Sequence, residues 1–446
     1  MKLKVFIVSI ALVCLGGFHS CGIKLSQNQI KESVVGSGWA NNSVNTVIFR
    51  QNAITTYKNT QFTAFYDGES NLVLAKRNLL HGVWKTNKTQ YKGNTADAHN
   101  AISIAVDSKG ILHVSWDHHD TKLRYAMAKE PLSLELGDEI SMTGIEEEKV
   151  SYPQFYNLSS NGNLLFLYRS GMSGRGVLVV NNFDSKTGKW SQLHQNLLDG
   201  EGERNAYWQA YIDNLGTIHL SWVWRETWDV STNHDMAYAR SKDGGLTWER
   251  SNGEKYQLPI NAKTSEYAWK IPQNSSLINQ TSITADAYGN PYIANYWNEE
   301  NTTQYQIVYL QEGIWKKENT AFRTSGFQLG GGGTKKIPIS RPEILVTPNK
   351  NPSSIIHLLF RDDKRGNKIS LATKDLAENV PWSIIDLTSK SVGEWEPNFD
   401  KELFKKTGKL HIFEQKVSQI DGEGLANQPV TAIKILEISH LPRTLK

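Results

Sequence analysis

The sequence predicts an all-β fold, a seven-bladed β-propeller of four-stranded antiparallel blades, and three observations predict it. A turn-and-strand motif recurs, the segments around each copy alternate with period two, and no segment sustains helical periodicity. The clearest copies read Asp107-Ser-Lys-Gly110-Ile-Leu-His113-Val-Ser-Trp116 and Asp213-Asn-Leu-Gly216-Thr-Ile-His219-Leu-Ser-Trp222. Weaker copies begin at Asn161, Asp286, Ile355 and Gly408. The step from His113 to Phe166, and from Phe166 to His219, is 53 residues, within the range of long propeller repeats.

Around each copy the same order of strands is expected. An apolar strand precedes the turn, as in Ala101–Val106 or Ser282–Ala285, and a third strand follows, as in Met236–Arg240 or Gln306–Leu310. Trp84, Trp190, Trp248, Trp315 and Trp382 mark the outer strands. Seven units result: Phe62–Trp84, His99–Glu135, Tyr152–Trp190, Tyr207–Trp248, Gln280–Trp315, Arg341–Trp382 and Trp395–Ile438. A ring must close, and either Ser43–Arg50 or Thr431–Ile438 is expected to complete a shared blade. Ser241-Lys-Asp243-Gly-Gly245-Leu-Thr-Trp248 matches the S-x-D-x-G-x-T-W turn, read as structural. His113, His219, His357 and His411 share one register of the repeat, so they are read as packing residues.

The ends bound the domain. Lys2 and Lys4 precede an apolar run, Val5–Gly17, that is short for a membrane span and long enough for a secretory leader. Cys21 directly after it leaves two readings, a lipidated lipoprotein or a plainly cleaved secreted protein. The division expected is a leader over 1–21, a linker over 22–42 and one propeller over 43–446, exported to the periplasm, the cell surface or the medium, with membrane association only through a lipid anchor. The two cysteines, Cys14 and Cys21, leave the expected mature chain without a disulfide, a thiol nucleophile or a cysteine metal site. Removing Lys2 and Lys4 lowers the net charge from +4 to +2, and a near-neutral body with 14 Trp and 17 Tyr argues against nucleic acid and is compatible with sugar stacking.

In a propeller, first strands begin and second strands end at one mouth, where residues differ from blade to blade. Those positions hold His99-Asn100, His118-His119, Tyr152-Pro-Gln154, Arg169, Tyr207-Trp208, Arg225, Arg341 and Arg361. Histidine and tyrosine beside fixed cations suit acid–base work on an anionic substrate. A uronic acid is such a substrate: an arginine on its carboxylate acidifies the C5 proton, one side chain removes it, and another protonates the departing O4. This β-elimination requires no cofactor, although a structural metal ion is compatible with it.

At Asp97-Ala-His99-Asn-Ala-Ile-Ser, His113-Val-Ser-Trp-Asp-His118-His119, Ser151-Tyr152-Pro-Gln-Phe, Tyr168-Arg169-Ser-Gly, Ala206-Tyr207-Trp and Asn233-His234-Asp235 the chain resembles the BNR-repeat polysaccharide lyases, specifically the propeller ulvan lyases. The resemblance covers blades two to four and elsewhere only the repeat architecture. It implies cleavage of ulvan, an anionic sulfated polysaccharide, at glucuronic or iduronic acid linked to sulfated rhamnose. By it His99 is an acid/base, Arg169 neutralises the carboxylate, and Tyr152 and Tyr207 assist proton transfer or binding. His119 is a second acid/base in the variant that brackets the sugar with two histidines, and the His/His and His/Tyr pairs both stand. His118, Arg225, Trp208, Asn100, Gln154, Arg341 and Arg361 are the expected substrate contacts.

Two rivals stand beside it. A sialidase-like or other propeller hydrolase needs an arginine triad, which Arg169, Arg225, Arg341 and Arg361 are numerous enough to supply, or two carboxylates across the bond. A glycan-binding surface lipoprotein needs the aromatics but not His99. His234-Asp235 is expected to order a loop of blade four, with metal binding as the lesser reading.

Overall fold

The computed structural model describes residues 30–49, 51–158, 160–347 and 355–442. The expected leader lies outside them, as does 22–29 of the expected linker. Seven antiparallel sheets form a propeller. Blade 1 runs through Ile54–Tyr57, Thr60–Tyr66, Asn71–Asn78 and Trp84–Lys92. Blades 3 to 6 repeat that order, beginning with the inner strands Val150–Asn157, Asn205–Ile212, Ser282–Ala285 and Glu343–Val346. Blade 2 is shorter, with Ser103–Val106, Leu112–Ser115 and Tyr125–Met127. Successive inner strands pack against each other around the ring. Side chains stitch them together: Ser103 Oγ donates to Gln51 O at 3.0 Å and accepts from Phe155 N at 3.3 Å.

The repeated Asp-x-x-Gly turn has a physical cause. Asp107 Oδ1 accepts from the backbone N–H groups of Lys109 and Ile111, both at 2.9 Å, and Asp213 does the same for Leu215 and Thr217. Gly110 and Gly216 sit at φ 87° and 85°, where a side chain would be strained. The strand that follows buries its histidine: His113 and His219 bond through Nδ1 to the hydroxyls of Tyr125 and Tyr238. His357 and His411 are buried in the same register, as expected of packing residues. In the Ser241–Trp248 turn, Asp243 accepts from Thr247 N, Ser241 Oγ accepts from Gly245 N, and Trp248 is buried among Trp208, Trp222 and Trp224. Each large side chain fully buried between blades contributes roughly 1.5–3 kcal/mol.

Three expectations change. The ring closes through Ile30–Gly38, inside the expected linker, which pairs antiparallel with Thr431–Ile438. Thr431–Ile438 in turn pairs with Leu410–Gln415, so of the two expected closing segments it is the one that completes the shared blade 7. Ser43–Phe49 forms turns instead of a closing strand, because Thr46 N and Val47 N both donate back to Ser43 O. The outer strand of blade 4 is Glu266–Trp269, not the segment at Trp248, whose indole is committed to the turn by its bond to Gly245 O.

The closure has a buried polar lock. Arg77, on blade 1, donates to Gln61 Oε1 at 2.6 Å, to Glu437 Oε1 at 2.5 Å and to Ser33 Oγ at 2.9 Å, the last two on the closing strands. Arg77→Ala leaves these acceptors without their cation and is expected to lower unfolding free energy by about 3 kcal/mol. Denaturant unfolding checks this, and an unchanged midpoint means the ring is held elsewhere.

Candidate active site

Departures from regular pairing build the mouth at blades 2 to 4. After Ser115 the chain leaves blade 2, with Asp117 at φ 67° and Asp120 at φ 57°, and His119–Thr121 pairs with the first strand of blade 3, His119 opposite Ser151. That strand is itself bulged between Ser151 and Gln154. Tyr152, in the bulge, has φ 57°, a conformation that is an outlier for a bulky residue. Such strain, about 1–3 kcal/mol, persists only where surrounding contacts fix it. Here the ring packs edge-on against Phe49 at 5.3 Å and Tyr207 at 6.0 Å.

One carboxylate organises the centre. Asp97 Oδ1 accepts from His99 Nδ1 at 2.7 Å and Asp97 Oδ2 accepts from His119 Nδ1 at 2.6 Å. Asp97 Oδ1 also takes the His99 backbone N–H at 2.8 Å, which fixes the loop. The two imidazoles stack with centroids 4.0 Å apart, and Phe49 covers the other face of His99 at 5.2 Å. Because a carboxylate only accepts, both Nδ1 atoms carry protons, and in the neutral rings both Nε2 lone pairs are free for proton transfer.

Charge is distributed unevenly around this pair. Burial lowers the affinity of His99 for a second proton, as does the neighbouring His119, and Asp97 only partly opposes them, so His99 lies below the usual imidazole range. Asp97 is raised by burial but lowered more by its bonds to His119 and His99, and stays ionised. The tyrosines diverge. Burial raises Tyr152 well above the usual phenol, whereas at Tyr207 the charges of Arg225 and Arg169 outweigh burial and bring the phenol below its usual value. The Arg225 guanidinium lies 5.4 Å from the Tyr207 ring centre, with Nη1 3.4 Å from its hydroxyl.

His99, His119, Tyr152, Tyr207, Arg225 and Arg341 line one cavity of about 260 Å³. Arg341 is there with its charge spent, donating to Glu396 at 2.8 and 3.0 Å. Arg169 lies behind the wall, 5.0 Å from the Tyr152 ring centre; Nη2 donates to Ser151 Oγ at 3.0 Å, while buried Nε and Nη1 have no partner. Gly176 makes room for it, since a Cβ there would stand 2.5 Å from Arg169 Cγ.

The other expected contacts are placed elsewhere. His118 is fully buried, and its Nε2 accepts from Arg124 N at 2.7 Å. Trp208 belongs to the tryptophan cluster between blades, and Gln154 is buried against the Tyr156 hydroxyl. Asn100 holds the His99 loop by donating to Asn94 O at 2.9 Å. Arg361 donates to the carbonyls of Trp395, Pro338 and Ile337, so no triad of Arg225, Arg341 and Arg361 with free donors is assembled. His234 lies on the third strand of blade 4, Asn233–Ser241, instead of in a loop, and is ion-paired to Glu226 at 2.7 Å.

Several lining residues were invisible to sequence reasoning. Phe49, Trp228, Thr334, Lys335 and Glu423 complete the wall, and Trp228 is 67 % exposed at the rim. Asp97 had one available signal, its place two residues before His99. A larger cavity of about 560 Å³ beside Lys405, Lys406 and His440 gathers no comparable acid–base set.

Asp97, His99 and His119 also place three donor atoms within 4.8 Å, a spacing compatible with a cation. The fit is poor, because each Nδ1 already spends its proton on Asp97 and a cation there must displace both. Asp97→Asn tests the arrangement. It is expected to lower the pKa of His99 further, since Asp97 raises it more than Glu423, the other carboxylate nearby, and to unpair the two rings. Imidazole titration by NMR reads this, and an unchanged His99 curve contradicts the assignment.

The model of the BNR repeat-containing family matches residues 60–323. No curated protein matches the sequence. Among solved structures, that of the polysaccharide lyase Uly1 superposes with a TM-score of 0.68 at 16 % identity, covering 92 % of this chain and 98 % of that one. An ulvan lyase of family PL25, bound to a glucuronic acid–rhamnose 3-sulfate unit, superposes with a TM-score of 0.67 at 14 % identity, covering 89 % and 97 %. These likenesses extend the shared fold to nearly the whole length of each chain. With the family match spanning more than half of its residues, the chain belongs to the BNR repeat-containing family.

Proposed function

We propose that this protein is a polysaccharide lyase that cleaves ulvan by β-elimination at a uronic acid linked to sulfated rhamnose. The observation that carries the reading is the Asp97-bridged histidine pair facing a cavity that Tyr207, with Arg225 against its hydroxyl, and Arg341 also line. Hydrolysis by two carboxylates finds less support, because Asp97, the carboxylate at the centre, is bound on both oxygens by the histidines.

The division of labour follows from the contacts. Arg225 spends its donors on Thr227 O, Trp228 O and the Tyr207 hydroxyl, so it acts on the tyrosine. Arg169 retains two unpartnered donors, and from behind the wall it offers them to a substrate carboxylate only when the Tyr152 ring that covers it moves aside. Neutralising the substrate carboxylate acidifies C5. His99 Nε2 takes the C5 proton, the electron pair becomes the C4–C5 double bond, the C4–O4 bond breaks, and O4 takes the proton of Tyr207. His119, stacked on His99 with 32 % of its side chain exposed, relays the proton to solvent. Rim-exposed Trp228 offers a face for a sugar ring.

The residues of the leader support a second proposal, that the protein is exported and acts outside the cytoplasm, either lipidated at Cys21 or cleaved and secreted without lipid. The mass of the N-terminal peptide from the native host, with or without lipid, reads this directly.

The primary test mixes purified protein with ulvan and follows the ultraviolet absorbance of unsaturated uronate. A rise that His99→Ala abolishes is expected, while new reducing ends without unsaturation contradict the lyase. Arg169→Lys is expected to lower kcat on the order of 10²-fold, as loss of one oriented charge-stabilising donor does; an unchanged rate moves the neutraliser elsewhere. Tyr207→Phe is expected to cost more than His119→Ala, and the reverse order favours the two-histidine mechanism. The base works deprotonated and its pKa is lowered, so the acid limb of kcat is expected below the usual imidazole value. The acid works protonated and Tyr207 is also lowered, so the alkaline limb is expected below the usual phenol value. EDTA is expected to leave the rate intact, and loss of rate restored by a divalent ion contradicts the metal-free site.

A further inference from the structure

Two segments from the far side of the ring meet over the mouth. The strap Gly330-Gly331-Gly332-Gly333-Thr334-Lys335 joins the last strand of blade 5 to the first of blade 6. At its start it is pinned to blade 4: Val230 N donates to Gly331 O and Gly331 N donates to Asp229 Oδ1, both at 2.9 Å. At its end it is pinned to a blade 7 loop: Gly422 N donates to Thr334 O at 3.0 Å, Lys336 N to Asp421 Oδ1 at 2.9 Å, and Lys335 Nζ to Asp421 Oδ2 at 2.6 Å. That loop is anchored in turn beyond the ring closure, where Ser418 N donates to Ala40 O and Ala426 N to Asn41 O.

The result is a continuous wall from blade 4 to blade 7, and it reaches the reacting centre. Thr334 Oγ1 lies 3.4 Å and Glu423 Oε1 3.5 Å from His99 Nδ1. Glycine eases two positions of the wall. A Cβ on Gly333, at φ 71°, would stand 3.0 Å from the backbone of Gly422, and one on Gly332 would stand 3.0 Å from the Trp228 ring. The opposite side carries half-exposed His119 and the exposed turn at Met172–Ser173. A cavity of about 260 Å³ is on the scale of one to two sugar rings, at the low end of ligand pockets.

We infer that the strap and the blade 7 loop make the site a blind pocket that receives the end of a glycan chain, so that cleavage proceeds from chain ends. This rests on the lyase reading of the same cavity. A glycan threading past His99 must leave on both sides, and the wall blocks the side of blades 5 to 7. The substrate is therefore selected by having an end, in addition to having a uronate.

Product lengths over time test it. The wild type acting on ulvan is expected to release only the shortest unsaturated product from the first time points, with viscosity falling slowly. Asp421→Ala removes both contacts that Asp421 makes to the strap and touches no reacting group. It is expected to raise the early fraction of intermediate oligosaccharides at least several-fold. A ladder of intermediates from the wild type overturns the inference, and so does an Asp421→Ala profile identical to the wild type. Binding separates this from failure of the lyase reading. Tryptophan fluorescence of His99→Ala is titrated with ulvan and with its short oligosaccharides. Saturation that follows the molar concentration of chain ends supports the blind pocket even without turnover, and saturation that follows total sugar mass overturns it.

Discussion

The antiparallel pairing of Ile30–Gly38 with Thr431–Ile438 is the constraint on which the mouth depends. It joins the two ends of the chain in one blade, and only then does blade 7 stand beside blade 1. The loop at Asp421–Glu423 belongs to blade 7, and the histidine it approaches belongs to blade 2. Arg77 fastens this joint from blade 1 by binding Ser33 and Glu437. Ring closure thus holds together the two halves of a cavity wall whose residues, His99 and Glu423, are over three hundred positions apart in sequence.

Within that frame Asp97 sets the chemistry. A single carboxylate bonded to two stacked imidazoles fixes their tautomers and prevents either ring from turning away. It does so beside His99, whose burial disfavours the charged ring and offers no orientation of its own. The strained backbones of Asp117, Asp120 and Tyr152 serve the same end. They break the period-two alternation of blades 2 and 3, so that His119 and Tyr152 point into the mouth instead of along the sheets.

The fold was legible because its signal is local. Asp107 and Asp213 satisfy turn N–H groups within four residues, and the histidines that follow are buried by simple alternation. His99, His119, Tyr152, Tyr207, Arg225 and Arg341 were legible as lining residues because the repeat places each near the start of a first strand or the end of a second at the mouth. His118 and Gln154 were not separable from their neighbours, since the left-handed backbone at Asp117 and the bulge at Ser151–Gln154 decide which of two adjacent side chains faces inward. Arg361 has the sequence position of a site arginine, but its donors are taken by backbone carbonyls, which no local pattern reveals. Thr334, Glu423 and Trp228 had no signal, because their place depends on contacts between distant loops. The strand at Ile30–Gly38 was hidden by its polar sequence, which alternates too weakly to separate from a linker.

Elimination and hydrolysis differ in where the oxygen of the new chain end originates. The most direct measurement is to digest ulvan with the protein in water enriched in heavy oxygen and to weigh the fragments. With His99 and Tyr207 only moving protons, the fragments are expected to carry an unsaturated uronate, one water lighter than a hydrolytic product, with no heavy oxygen incorporated by bond cleavage. Saturated fragments that take up heavy oxygen during cleavage would contradict the lyase.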